Sequence, residues 1–271
     1  MANKVSMEMV IPEHQTILEE SSAFAQTVVD LSARVIKGAD SVNIPTLAAV
    51  EGEDLALSGS FTEENNNYGD DILSITRKAG RLFSINVHES EQNVLNSLED
   101  GLRESLKAMA KQLDRKLVTT MLAAATATGV ARESSPANFY GDIVTMGQKM
   151  DEAGIPAEDR YLAVTPTDYS ALLNTKDFVR FDGTGDGSAI KTGKVGEILG
   201  FTVVRSIITS GNGFTESFAY HKNAAVFAWQ SDTIILSQDV PGESKRKYEV
   251  SRAYNCKALQ SGALIYKWAA S

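Results

Sequence analysis

The chain has 271 residues, is 43% hydrophobic and 23% charged, and carries a net charge of −9 with a single cysteine, Cys256. That is ample for a sizeable core in one large domain or two smaller ones; no apolar run reaches the ~18 residues that span a bilayer, and one cysteine excludes an intramolecular disulfide framework and fits a reducing compartment. Residues 1–90 hold 14 acidic and 6 basic side chains, residues 91–271 hold 21 and 20, so the acidic excess belongs to the first third and a broad electrostatic footprint for nucleic acid is excluded.

Residues 1–12 read as an arm with little periodicity, and Met1–Glu13 has no long apolar core, so no secretory signal is expected. From about Glu13 to Lys37, Ile17, Leu18, Phe24, Val28, Leu31 and Val35 recur at threes and fours, which predicts a helix closed by Gly38. Ser41–Pro45 reads as extended, because Pro45 forces the residue before it out of the helical region. Residues 46–88 read as a long hairpin. Thr46–Val50, Ile72–Thr76 and Arg81–Val87 are strand-like, the last with only a partial period of two. Between them, Ser58–Asp71 is polar, acidic and glycine-bearing, which predicts a mobile tip.

The strongest periodic signal follows. Leu95, Leu98, Leu102, Leu106, Met109, Leu113 and Leu117 fall within an arc of roughly 100° at helical spacing, inside a helix predicted from about Ser90 to Thr128 with Gly129 as its cap. Gly101 lies off that arc. Acids toward the start (Glu89, Glu91, Glu99, Asp100) and bases later (Lys107, Lys111, Arg115, Lys116) suit the helix dipole. A rod of roughly 55 Å is as long as a domain of this size is wide. Enzymes rarely need one; proteins that tile a surface do.

A second helix is predicted over Ala137–Ala153, ended by Gly154 and Pro156. Arg160–Val164 reads as a strand and Thr167–Asn174 as a short helix capped by Thr165 or Thr167. Phe181–Lys194 reads as a glycine-rich loop. Phe201–Val204, Phe218–Tyr220, Ala225–Trp229, Thr233–Leu236, Arg246–Ala253 and Ala263–Trp268 read as strands.

No catalytic, cofactor-binding or metal site emerges, and no cofactor is expected. His14, His88 and His221 lie in no zinc pattern. Gly187–Val195 spaces its glycines by five residues and ends Lys194-Val195, so it fails as a phosphate-binding loop. Asp182–Gly187 begins like a calcium loop, but Gly193 stands where the bidentate glutamate belongs. Cys256 reads as a structural thiol. Asp70-Asp71 and Glu63-Glu64 read as solvated tip residues, and Lys245-Arg246-Lys247 as a solvated turn and strand end.

Several stretches together resemble the major capsid proteins of tailed bacteriophages, with the Hong-Kong-ninety-seven capsid fold. Gly38–Pro45 is similar to that family's turn from N-arm into the E-loop, and Leu106–Leu117 to its spine helix. Ile155–Tyr169 resembles its Pro…Arg-strand-Pro…Tyr segment, and Lys194–Ser206 its Gly-x-Ile-x-Gly-Phe-x-Val strand turn. The resemblance spans nearly the full chain and implies an α+β fold. Its parts would be an N-arm at 1–45, an E-loop at 46–88 and a P-domain with spine helix at 89–139. An A-domain at 140–240 and a C-terminal return to the P-domain at 241–271 would complete it.

The resemblance also implies a non-enzymatic subunit that self-assembles through hexamers and pentamers into an icosahedral shell around double-stranded DNA. It would be made in the host cytoplasm and reside in the virion. A separate scaffolding protein, a portal and a decoration protein are the implied partners, with no sequence-specific DNA binding and no membrane. Some relatives crosslink a lysine to an asparagine; Lys78 and Asn255 are the pair to place. An encapsulin-like compartment shell is the alternative within the fold, and an α/β enzyme the alternative outside it.

Overall fold

A computed structural model describes residues 22–36, 40–47, 68–86, 97–131, 139–174, 196–205, 217–230, 233–259 and 265–269. The predicted loop at 181–194, the tip at 58–67, Gly38, Leu95, His14 and His88 lie outside the described residues.

The architecture is α+β: one long helix between two sheets. Helix α1 spans Ser97–Ala124, 28 residues and so about 42 Å. Its apolar stripe is buried as the spacing predicts: Leu102 is 7% exposed, Leu113 2%, and Leu106, Met109 and Leu117 0%. The stripe is wide enough to serve both sheets. It meets Val250, Tyr254 and Phe227 in one and Phe218, Tyr220 and Ile265 in the other, within a single core. Gly101, off the stripe, has its own task. A β-carbon there would stand 2.5 Å from the Phe83 ring, so its absence lets the first sheet lie close against the helix.

The five-stranded sheet is built around β12 (Lys245–Ala258). Strand β4 (Arg77–Asn86) pairs antiparallel along one edge. Strands β11 (Ile234–Val240) and β10 (Ala225–Trp229) follow each other along the opposite edge, since Tyr254 pairs with both Arg77 and Trp229. The short strand β1 (Val29–Asp30) adds to β10. Alternation along β12 sorts its faces. Tyr248, Val250, Tyr254 and Cys256 turn to α1, while Asn255 and Lys257 turn to the hairpin of β2 (Ser41–Leu47) and β3 (Tyr68–Ser74). That hairpin lays Val42, Ile44 and Leu73 on Val226 and Ala228 of β10, forming a separate small core.

The six-stranded sheet runs β5 (Thr126–Ala131), β13 (Ile265–Ala269), β9 (Phe218–His221), β6 (Arg160–Val164), β8 (Phe201–Arg205), β7 (Glu197–Ile198). Both faces are covered. Phe218, Tyr220 and Ala163 face α1; Ala219, Leu162 and Val164 face helix α2 (Phe139–Glu152) through Ile143, Met146 and Met150. Gly154 ends α2 with φ +69, the left-handed cap that its sequence position predicts. Helix α3 (Pro166–Asn174) starts where Thr165 Oγ1 accepts from the Asp168 amide at 3.1 Å.

Two expectations about helices fail. Residues 22–36 are not helical: they form 3-10 turns at Ala25–Thr27 and Ser32–Arg34 around β1. Phe24 and Val28 point into the core under α1, whereas Leu31 points into the hairpin core, so the threes-and-fours spacing arises from two successive turns serving two cores. Helix α1 also stops at Ala124, before the expected Thr128, and Gly129 lies inside β5. Thr126 and Val130 are β-branched, and parallel pairing with β13 recruits the segment as a strand.

Candidate functional site

The features able to serve a function are surfaces. The first is the base of the β2–β3 hairpin. Lys257, on β12, forms an ion pair with Asp71 on β3 and donates to the Ile72 carbonyl oxygen at 3.1 Å. Asn255 Nδ2 donates to the Ser74 carbonyl at 2.6 Å and to Thr76 Oγ1 at 3.3 Å, while its Oδ1 accepts from the Cys256 amide. Asn43 Nδ2 reaches Asp70 at 2.9 Å. The expectation that both aspartates are solvated therefore fails for Asp71, which is 6% exposed; Asp70 is exposed as expected. Alternation decides it: Asp71 shares the inner face with Leu73, and Lys257 comes from the neighbouring strand to meet it. Glu63 and Glu64 lie outside the described residues.

Among the described residues Asp71 Oδ2 has no hydrogen-bond partner, so the carboxylate depends on Lys257. Replacing Lys257 with methionine should cost about 2 kcal/mol, below the roughly 3–5 kcal/mol for breaking a fully buried pair, because the lysine keeps some contact with water. Urea unfolding of the subunit would measure this. Asp71→Asn in the same background should recover most of the loss. A loss near zero would show that the pair does not fasten the hairpin.

The second surface is the outer face of the five-stranded sheet beyond the hairpin. Glu249 pairs with Leu82 on one side and Leu236 on the other, so the three side chains form one row on one face. Leu82 is 64% exposed and Leu236 56%, with Ile234 beside them at 50%. Lys78 reaches across to Glu249, and this cation holds the Glu249 carboxyl below its ordinary range. Lys247 sits in the next row and Lys245 beyond it. Three large apolar side chains rimmed by lysines on one exposed sheet face make this the candidate contact surface.

The basic run resolves as its sequence suggests. Arg246 holds Asp239 through two bonds, one at 3.0 Å, and Lys245 stands 3.5 Å from Glu243 across the β11–β12 turn. Lys78 and Asn255 are engaged with Glu249 and with the hairpin base, respectively. Cys256 is buried with Thr120 Oγ1 at 3.5 Å, and burial pushes its thiol up, away from nucleophilic chemistry. His221 is buried and its Nδ1 accepts from the Asn223 amide at 3.2 Å; burial pushes its pKa down. Among the described residues no cluster of histidine, cysteine or carboxylates could hold a metal ion, and no helix is long and apolar enough to cross a membrane.

A family model described as phage capsid protein matches residues 69–234, more than half of the chain. The chain belongs to the phage capsid protein family. It is a structural protein, and the long helix and the two sheets around it are parts of a capsid subunit. The solved structures similar to it carry the same fold. A Mycobacterium phage Che8 structure aligns with TM-score 0.76 at 18% identity, covering 90% of each chain. The capsid of cyanophage P-SCSP1u aligns at 0.72 and 14%, covering 90% of this chain and 86% of that one. A virus-like particle from Pyrococcus furiosus aligns at 0.63 and 11%, covering 97% and 98%. No curated protein sequence matches the chain.

Lys257, Asp71, Leu82 and Leu236 are not legible as site residues in the sequence. Asp71 is masked there by its polar neighbours. The partial alternation of Arg81–Val87 was the available signal for Leu82, but its row with Leu236 depends on β12 lying between them.

Proposed function

We propose that this capsid protein is the major wall subunit of a tailed phage, self-assembling through hexamers and pentamers into an icosahedral shell around double-stranded DNA. The family match over 69–234 carries the reading. The subunit is not an enzyme, is made in the host cytoplasm and works in the virion, beside a scaffolding protein, a portal and a decoration protein. Residues 1–45 serve as N-arm, 46–88 as E-loop, 89–139 as P-domain with spine helix, 140–240 as A-domain and 241–271 as the return to the P-domain.

In this reading the hairpin fastened at Asp71 and Lys257 extends over a second copy, and the Leu82–Leu236 row receives a neighbour's segment. The acidic residues Glu51, Glu53, Asp54, Glu63 and Glu64 complement the lysines that rim that row. Shortening residues 59–67 to a tight turn should leave the subunit folded and abolish closed shells. Circular dichroism and negative-stain microscopy of the same preparation would read both. Shells of normal size from the shortened chain would remove the hairpin from the assembly mechanism.

Negative-stain microscopy of the expressed full chain, alone and with a scaffolding partner, tests the main reading: rings or closed shells are expected, and a strict monomer at high concentration would overturn it. The likeness to a virus-like particle of nearly equal length supports a second reading, an encapsulin-like compartment. Particles carrying protein cargo and lacking nucleic acid would favour it. For the phage reading the wall should be passive toward its contents. The net charge of −9 predicts no sequence-specific DNA binding and only weak binding that disappears by physiological salt. Sub-micromolar affinity in a filter-binding titration under those conditions would contradict it.

A further inference from the structure

The solvent side of α1 carries a row of bases that the folded subunit does not use. Lys107, Lys111 and Arg115 recur at every fourth residue and are exposed. Their side chains therefore follow one another along the helix, about 6 Å apart along its axis. Lys107 meets Glu104 at 3.2 Å, an exposed pair that contributes little. Among the described residues Lys111 and Arg115 pair with no carboxylate. Asp114, the one acid placed between them, is 2% exposed and turned inward. Its carboxylate accepts from the Ser22 hydroxyl and from the Ala23 and Phe24 amides. The other acids of α1, Glu99, Asp100 and Glu104, all precede Lys107.

Neither local pairing nor the helix dipole accounts for this row. Like charges four residues apart repel on a helix, and the row contains two such steps, Lys107 to Lys111 and Lys111 to Arg115. The dipole acts on charges in the last turn. Helix α1 runs on to Ala124, and its last turn holds no base. The three bases also stand out against a chain whose net charge is −9. The isolated subunit thus bears a repulsion that a dense negative partner lying along the helix would relieve.

We propose that Lys107, Lys111 and Arg115 form a phosphate track, the face of α1 that lies against the backbone of duplex DNA, a role that rests on reading the subunit as a wall around a double-stranded genome. Duplex DNA presents one negative charge per ~1.7 Å of its axis, so three long cationic side chains in a row find phosphates in any register. The two ammonium groups meet phosphate oxygens as point charges, and the Arg115 guanidinium offers a fork of N–H donors. Such contacts position the duplex and read no base. Glu99, Asp100 and Glu104 keep the backbone off the first two turns of α1. Three contacts give a slope of about −2.7 in log affinity against log salt, a loss of about twentyfold between 50 and 150 mM. One subunit therefore lets go near physiological salt. A shell repeats the row at every subunit and holds one genome through many weak contacts.

Fluorescence anisotropy of a short labelled duplex, titrated with the unassembled full chain from about 30 to 150 mM salt, tests this. Two unrelated sequences should bind equally within about twofold, with the slope near −2.7. Lys111→Gln with Arg115→Gln should lower affinity at the lowest salt at least tenfold and bring the slope to about −0.9. Arg34→Gln with Lys222→Gln makes the same change in net charge on other elements and should alter affinity less than about threefold. Lys111 and Arg115 are exposed, so urea unfolding should find their double variant as stable as the wild type. Should it fail to fold, Arg115→Gln alone decides, with a slope smaller by about 0.9. No binding at the lowest salt, equal losses in the two double variants, or tighter binding of poly-glutamate than of the duplex would each overturn the track. The last would give the row to an acidic protein. None of these readouts needs a shell: particles filled with protein cargo would sink the genome-wall reading and leave the measured affinities intact, so the two failures are distinguishable.

Discussion

Replacing Leu117 with alanine should destabilise the unassembled subunit by about 3–4 kcal/mol, within the range for a buried leucine whose cavity cannot collapse. Leu117 is fully buried and belongs to a core that both sheets share along α1. A helix pinned between two sheets cannot move toward one without opening a gap at the other, so relaxation into the void is restricted. Chemical denaturation of the monomer, compared with Val144→Ala on the exposed side of α2, is the measurement. Val144 is 46% exposed and its change should lie within about 0.5 kcal/mol of zero. A Leu117 loss below about 1 kcal/mol would show that the two sheets are held together elsewhere.

The second large effect is on assembly rather than folding. Leu82→Gln combined with Leu236→Gln should leave subunit stability nearly unchanged, because both side chains already face water. The same pair should prevent shells from closing, or raise the protein concentration needed by more than about tenfold. Withdrawing a leucine from water contributes roughly 1.5–3 kcal/mol, and each factor of ten costs about 1.4 kcal/mol. Symmetry repeats the loss at every subunit. Light scattering against concentration, with microscopy of the product, reads the outcome. Normal shells at normal concentration would mean that this sheet face stays open in the particle. A parallel Ile72→Gln change, on the 53% exposed outer side of the hairpin, separates the contribution of the arm from that of the sheet.

Some of this protein was written locally. The leucine stripe from Leu102 to Leu117 is a property of one segment with one period, and burial follows that period. The cap at Gly154 and the break at Pro45 are steric facts about single residues, so the end of α2 and the extended β2 follow from them. Charge along the chain likewise sets the expectation of no broad nucleic-acid footprint without reference to any fold.

What only the tertiary structure decided is which segments meet. Residues 22–36 carry a helix-like spacing, but Phe24 and Leu31 answer to different cores, and strand pairing with β10 outweighs local preference. The end of α1 was likewise set by β13, about 140 residues further along the chain, which draws Thr126–Ala131 into its sheet. Asp71 is buried because β12 brings Lys257 to it, and Leu82 and Leu236 become one surface because Glu249 stands between them. A period along one chain says which face a residue occupies. Which partner covers that face, or leaves it open for another subunit, is a long-range contact, and its energy is realised only once the sheets have closed around α1.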